Sequence, residues 1–486
     1  MNLEQQKKQA RELLRALRAG DGAAMERLRS QQGRWKERED AELRREVALM
    51  DAQFVVAREQ GFSSWSKLKA YADPAMELEH SKLYVLDSKW MHERAIGLVR
   101  TRASAGPAAL EQIRSWHPRF EGKSDEEILQ ASFGMEDALL VYAKEHGFAD
   151  WSALQERIRV LGGVSDPGES EPFLAAFRAM ERGELERFRE LLRRHRTLGR
   201  QRGTNGNTLL NLAVSLAPKV GAEFALTSEL QGAVNEANDR GWTPLHQAAY
   251  SNQVELLEAL LGWGADAELE AHGSGGTPLV VALFWGHREA AKVLSRVSVA
   301  PGNLRVAAGL GRLDLVERCF DARGEFVAEA SAARGFYRPH SGFPEWRASG
   351  RRQEVLDEAL VWAAKTGSVA VFERLIAAGA SLDADPYRGT PLIWAAVCNR
   401  VEAARRLVAM GARVNLQATF GGLTHGQGVT ALHMAAQNGH LEMVKALVEM
   451  GADAAIREDL YGSDAIGAAK FFGQEAVWAY LNDLPR

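Results

Sequence analysis

From about residue 174 to the end of the chain, apolar positions recur in one figure. A short run carries a single leucine (Leu245, Leu279, Leu304, Leu360, Leu392, Leu432) followed by an Ala pair such as Ala248-Ala249, Ala363-Ala364 or Ala435-Ala436. A glycine ends the run, at Gly286, Gly311, Gly367, Gly439 and Gly473. A second run then places apolar residues at helical spacing, as in Met443, Val444, Leu447 and Val448. A 3.6-residue period broken by Gly predicts pairs of short helices, the first closed by a left-handed residue. Small Ala pairs let neighbouring first helices approach closely.

Aligned on the first residue of this figure, the units start at Leu174, Thr208, Thr243, Thr277, Gly302, Glu358, Thr390, Thr430 and Ser463. Successive spacings are 34, 35, 34, 25, 56, 32, 40 and 33. Thr suits a helix start, and the Pro that follows it at Pro244, Pro278 and Pro391 is tolerated in a first turn. Gly-Trp-Thr-Pro-Leu-His-Gln-Ala-Ala from Gly241 and Gly-Val-Thr-Ala-Leu-His-Met-Ala-Ala from Gly428 carry the fullest form. This resembles the ankyrin repeat, a unit of about 33 residues marked by Thr-Pro-Leu-His-x-Ala. The resemblance implies an all-α solenoid over residues 173–486, of about nine units with short β-hairpin fingers, a concave face of inner helices and a C-terminal cap from Ser463. It implies further that His246 and His433 bond the backbone of adjacent loops, and that the stack binds rather than catalyses.

Residues 1–160 repeat differently. Ala52 to Leu68, which contains Ala57-Arg58-Glu59-Gln60-Gly61-Phe62, returns as Ala138 to Leu154 with Ala143-Lys144-Glu145-His146-Gly147-Phe148. Upstream, Leu13 to Leu28 matches Leu98 to Ile113. Two helical units, 1–75 and 86–160, follow, with Phe62, Trp65, Phe148 and Trp151 as core anchors. The phrase resembles the N-terminal regions of bacterial ankyrin-repeat proteins. Residues 161–172, rich in turn formers, read as a linker.

Composition narrows the function. The net charge is −4, and acidic and basic side chains balance over residues 1–165, so a nucleic-acid partner is not expected. The arginines from Arg193 to Arg202 read as a solvated helix end. No run approaches the length of a membrane span or signal-peptide core, and a cytoplasmic location is expected. Cys319 and Cys398 read as buried reduced thiols. There is no His-Glu-x-x-His, Cys-x-x-Cys, Gly-x-Ser-x-Gly or P-loop, so no metal, cofactor or catalytic residue is assigned.

The residues that the repeat does not require point to a binding site. The 56-residue gap holds an insertion at 322–352, with Phe336, Tyr337, Arg338, His340, Phe343 and Trp346 at its middle. The 40-residue gap holds a second, at 416–428, with Phe420, Thr424 and His425. Asp385, Tyr387 and Arg388 lie between them. Successive fingers of a stack share one side, so these residues should gather beside Trp362, Ile393 and Trp394 of the inner helices. Clustered aromatics and arginines are what binding hot spots use. The expected function is a non-enzymatic scaffold for a protein or peptide. The alternatives are an enzyme or small-molecule sensor around His340, Asp385 and His425, or a structural adaptor. In a competing account, the first insertion folds back to plug an apolar gap in the stack.

Overall fold

A computed structural model describes residues 3–32, 35–62, 65, 68, 80–103, 105, 107–164, 167–271, 275–299, 302–336, 348–386, 388–420 and 427–484. They form two compact units, 1–274 and 275–486. The expected linker at 161–172 therefore lies inside the first unit.

In the first unit, α1 (Leu3–Ala19), α2 (Gly22–Gln31), α3 (Asp40–Glu46) and α4 (Leu49–Glu59) surround one core of Leu13, Leu17, Leu28, Val55 and Trp65. Next come α5 (Ser88–Ala103), α6 (Pro107–Trp116), α7 (Asp125–Gln130) and α8 (Met135–Glu145). Their starts follow those of α1–α4 by 85, 85, 85 and 86 residues. The turns after α4 and α8 agree in detail. Gly61 and Gly147 take φ of 83° and 84°, which a Cβ would oppose. Phe62 N donates to Ala57 O, and Phe148 N to Ala143 O, both at 2.9 Å.

After α9 (Trp151–Gly162), the repeat helices of this unit are α10 (Pro172–Glu181), α11 (Leu185–Arg194), α12 (Leu209–Val220), α13 (Pro244–Tyr250) and α14 (Val254–Gly262). The segment before α5 ties the N-terminal helices to them. Lys82 bridges Gly203, Tyr84 packs 4.8 Å from the Phe177 ring, and Asn207 Nδ2 donates to Tyr84 Oη at 2.9 Å.

The second unit holds α15 (Pro278–Phe284), α16 (Arg288–Leu294), α17 (Leu304–Gly309), α18 (Leu313–Arg318), α19 (Arg352–Thr366), α20 (Phe372–Ala377), α21 (Pro391–Val397), α22 (Val401–Ala409), α23 (Ala431–Gln437), α24 (Leu441–Glu449), α25 (Ala465–Phe471) and α26 (Glu475–Asn482). Inner helices α17, α19, α21, α23 and α25 stack in order around a core that includes the Ala pairs. Thr208, Thr243, Thr277, Thr390 and Thr430 cap their helices as expected, each hydroxyl accepting from the backbone N–H three residues on. In two units the cap lies one residue beyond the register, at Asn303 and Asp464. Glu358 caps nothing. With no Thr-Pro to start the helix there, α19 begins at Arg352 and runs through it.

The fingers are not β-hairpins among the described residues, where no strand occurs and only isolated bridges such as Ala418–Val429 form. Each finger is too short for a ladder, and side chains stitch it to its neighbour instead. Asn235 Nδ2 donates to Gly264 O at 3.0 Å and Asn415 Nδ2 to Gly451 O at 3.0 Å. His433 behaves as the repeat requires, with Nδ1 2.8 Å from Thr430 Oγ1 and Nε2 3.2 Å from Ser463 O. Among the described residues no helix is long and apolar enough to cross a membrane.

Candidate functional site

The candidate residues sit on the second unit, where the inner helices meet the first insertion. Trp362 on α19 and Trp394 on α21 occupy one helical register position, at which a repeat would normally present a side chain to the concave face. Both are buried, at 2% and 1% exposure, and Ile393 is too. The expectation that they face an open groove is corrected here, and the reason is α15. All seven of its residues are buried, because its apolar surface runs all the way round. Its end meets α19 at Lys365, and the turn after it meets Cys398 and Arg400 just beyond α21.

Lys365 shows how tightly. Its Nζ donates to Phe284 O at 3.0 Å and stands 3.7 Å from the Trp394 ring centre, 4.3 Å from Phe284 and 5.8 Å from Trp362. Burial pushes this ammonium down to about 7, with Arg388 and Arg305 acting in the same direction. Arg400 fastens the far end, donating to Lys365 O at 3.0 Å and Gly286 O at 2.7 Å. At Gly286, φ is 73°, and a Cβ would lie 2.6 Å from Cys398 Sγ. Cys319 is buried. Cys398 keeps an accessible edge, but its thiol turns inward toward Trp285 O at 3.8 Å, and burial pushes it up to about 11.

The described part of the first insertion enters the same core. Phe336 is fully buried, its ring 5.5 Å from Phe284 and edge-on to it. Arg334, also fully buried, donates from Nε to Glu358 Oε2 at 2.6 Å, from Nη2 to Glu354 Oε1 at 3.0 Å and from Nη1 to Ser349 O at 2.6 Å. Arg305 Nη1 reaches the other Glu358 oxygen at 2.8 Å while its guanidinium lies over Trp362. Burial alone would raise Glu358, but Arg334 and Arg305 hold it below the usual carboxylate range. Phe336 is therefore core rather than hot spot. Residues 334–336 close an apolar gap, as the plugging account has it.

Asp385 accepts from Gly389 N at 2.7 Å and Thr419 N at 3.0 Å, so two successive fingers are joined through it. Arg388 is buried with φ of 60°. Phe420 is half-buried, 5.1 Å from Trp394. These contacts bring Asp385, Phe420 and Trp394 together. Tyr337, Arg338, His340, Phe343, Trp346, Tyr387, Thr424 and His425 lie outside the described residues. No group of three His, Cys, Asp or Glu suited to a metal occurs among the described residues.

Sequence reasoning passed over Lys365, Arg305 and Arg334. A trace of Arg305 was present, since it stands where other units carry His. Also unforeseen are large apolar side chains left in water in and just before the last unit: Tyr461 at 82%, Phe471 at 84%, and Phe472 and Trp478 less so.

Two models of ankyrin repeats match this chain, one over residues 174–301 and 347–418, the other over 392–448. The chain carries ankyrin repeats. It is 36% identical over 104 residues to human NF-kappa-B inhibitor alpha, covering 20% of this chain and 31% of that protein. It is 40% identical over 80 residues to human protein fem-1 homolog A, covering 16% of this chain and 11% of that one. The chain thus spans under a third of either relative.

Proposed function

We propose that this chain, with its ankyrin repeats, is a recognition scaffold that docks a protein or peptide on the finger side of residues 275–486. The supporting observation is the pairing of a stacked repeat core with side chains that the stack does not use. Tyr461 and Phe471 stand in water, and the finger that carries Asp385 is joined to the second inserted finger at Thr419. Exposed aromatics of this kind are the usual anchors of protein interfaces. Similarity to NF-kappa-B inhibitor alpha favours a protein partner.

Within this proposal the finger residues divide by role. Phe336, Trp362 and Trp394 form the floor. Tyr337, Arg338, His340, Phe343, Trp346, Tyr387, Thr424 and His425 supply the contact surface, with Asp385, Arg388 and Phe420 at its rim. We further propose that residues 1–75 and 86–160 are duplicated units offering a second docking surface, and that the chain works in the cytoplasm. The test is affinity capture from native lysate with cross-linking. The wild-type chain is compared with a variant whose residues 337–346 are replaced by a Gly-Ser linker. Arg334 and Phe336 are retained, so the core stays closed. A partner captured equally by both would place docking elsewhere.

A further inference from the structure

The second helices α22, α24 and α26 pack in order, yet the fourth residue of each meets a different fate. Ala404 on α22 and Val444 on α24 are fully buried, whereas Trp478 on α26 is 38% exposed. The first helices show the same contrast at their last residue. Val397 on α21 and Gln437 on α23 are half-buried, and Gln437 O accepts from Gln474 of the next unit at 3.1 Å. Phe471, at that place on α25, is 84% exposed. Phe472 follows it, also exposed, with the two rings edge-on and 5.1 Å apart. A repeat with no neighbour beyond it needs a polar outer face to stay soluble. Here three aromatic side chains take that face.

The area is enough to matter. With about 200 Å² for a whole aromatic side chain, the exposed parts of Phe471, Phe472 and Trp478 leave roughly 350 Å² in water. Two such faces closed on each other bury about twice that, more than half of the ~1,200 Å² at which stable interfaces begin. The polar residues around them supply the remainder.

Two observations point to a second copy of this chain as the occupant. The first helices of the two compact units offer no open repeat face that could receive it head to tail. α15 is buried at every residue, and α10 is covered by Tyr84, whose ring stands 6.1 Å from Phe173 and 4.8 Å from Phe177. What is left is like against like, a self-complementary contact that closes on a twofold axis. The charges suit it. Lys470 and Glu475 are exposed on either side of Phe471 and Phe472, and neither has an ion-pair partner among the described residues. On α22 and α24, by contrast, Arg405 pairs with Glu449, Arg406 with Glu373 and Lys445 with Glu442. A twofold contact sets each unpaired charge against its opposite on the other copy.

We propose that the face formed by Phe471, Phe472 and Trp478 docks on the same face of a second copy, with Lys470 of each copy against Glu475 of the other. Docking of a partner at the fingers does not depend on this contact, so the variant with residues 337–346 replaced should still pair. Sedimentation velocity of the full chain from about 1 to 100 μM, the range in which an interface of this size comes apart, tests it. The wild type should pass from one copy to two as concentration rises. Phe471→Glu should stay a single copy throughout, with its helicity by circular dichroism unchanged. Trp478→Lys should act likewise, and it decides the matter if Phe471→Glu does not fold. Lys470→Glu and Glu475→Lys should each weaken pairing several-fold, because like charges then meet. Mixed in equal amounts, these two variants should pair again, since every lysine then faces a glutamate. A wild-type chain that stays a single copy leaves the face to a different protein and overturns the proposal, as does a folded Phe471→Glu chain that still pairs. Single variants that do not pair when mixed overturn the Lys470–Glu475 register.

Discussion

Lys365 is the residue whose chemistry departs furthest from its surroundings, a cation enclosed by three aromatic rings and one carbonyl. Cation–π contact offsets part of the desolvation, yet burial still brings the group down to about 7. The unfolded chain holds that proton up to about 10.4. Between these values the unfolded state binds more protons, so stability should rise with pH from about 7 to 10. Thermal melts of residues 275–486 should show this rise, and Lys365→Met should remove it. Met suits an aromatic cage, so the variant should also melt higher at pH 7, by roughly 2–4 °C per kcal/mol recovered. An unchanged pH profile in the variant would place the titration elsewhere. Arg334 should behave in the opposite manner. Arg334→Ala leaves Glu358 buried with half its cations gone, and such losses typically destabilise by about 3–5 kcal/mol; chemical denaturation measures it.

At the scale of elements, α15 decides what the inner helices can do. Its Thr277 cap, Thr-Pro-Leu start and closing Gly286 are legible in the sequence, so the helix itself was foreseeable. That it would lie against α19 and α21 was not, because its sequence is apolar on every side and names no preferred neighbour. Phe284→Ala removes the ring that meets Lys365, Phe336 and Trp362, and a cut of this kind costs about 3–5 kcal/mol. We expect the loss together with raised exchange in residues 330–336. Thr430→Ala should cost only about 1 kcal/mol, the usual worth of one cap, with exchange raised in α23 alone. The inserted fingers stand out in the sequence as departures from the repeat spacing. That Arg334 and Phe336 would be buried was not legible there, since in sequence they look like Arg338 and Tyr337 a few positions on.

For the whole molecule, the compact units end at 274 and begin at 275, a hundred residues past the sequence boundary at 161–172. The first repeats share a core and backbone bridges with the N-terminal helices, Tyr84 meeting Phe173 and Phe177. A fragment of residues 275–486 should therefore fold alone and melt in one helical transition by circular dichroism. A fragment of 173–486 should show residues 173–274 exchanging early, since Tyr84 and Lys82 are missing from it. Equal protection throughout the longer fragment would mean that the first repeats need no helical support.

The sequence by itself determined whatever depends on residues close together along the chain. Thr caps, Gly stops, Ala pairs and the 3.6-residue period specify the paired helices, and an 86-residue echo returns Glu59-Gln60-Gly61-Phe62 as Glu145-His146-Gly147-Phe148 ahead of them. Only the tertiary structure decided which faces meet water. Trp362 and Trp394 are buried because α15 brings Phe284 against Trp362 and Lys365 across a long stretch of chain, whereas Phe471 is exposed because nothing stacks beyond its helix among the described residues. Glu145 differs from Glu59 for the same reason. The local phrase is one, but Glu145 is buried against Gln112, whereas Glu59 stays exposed on Arg27.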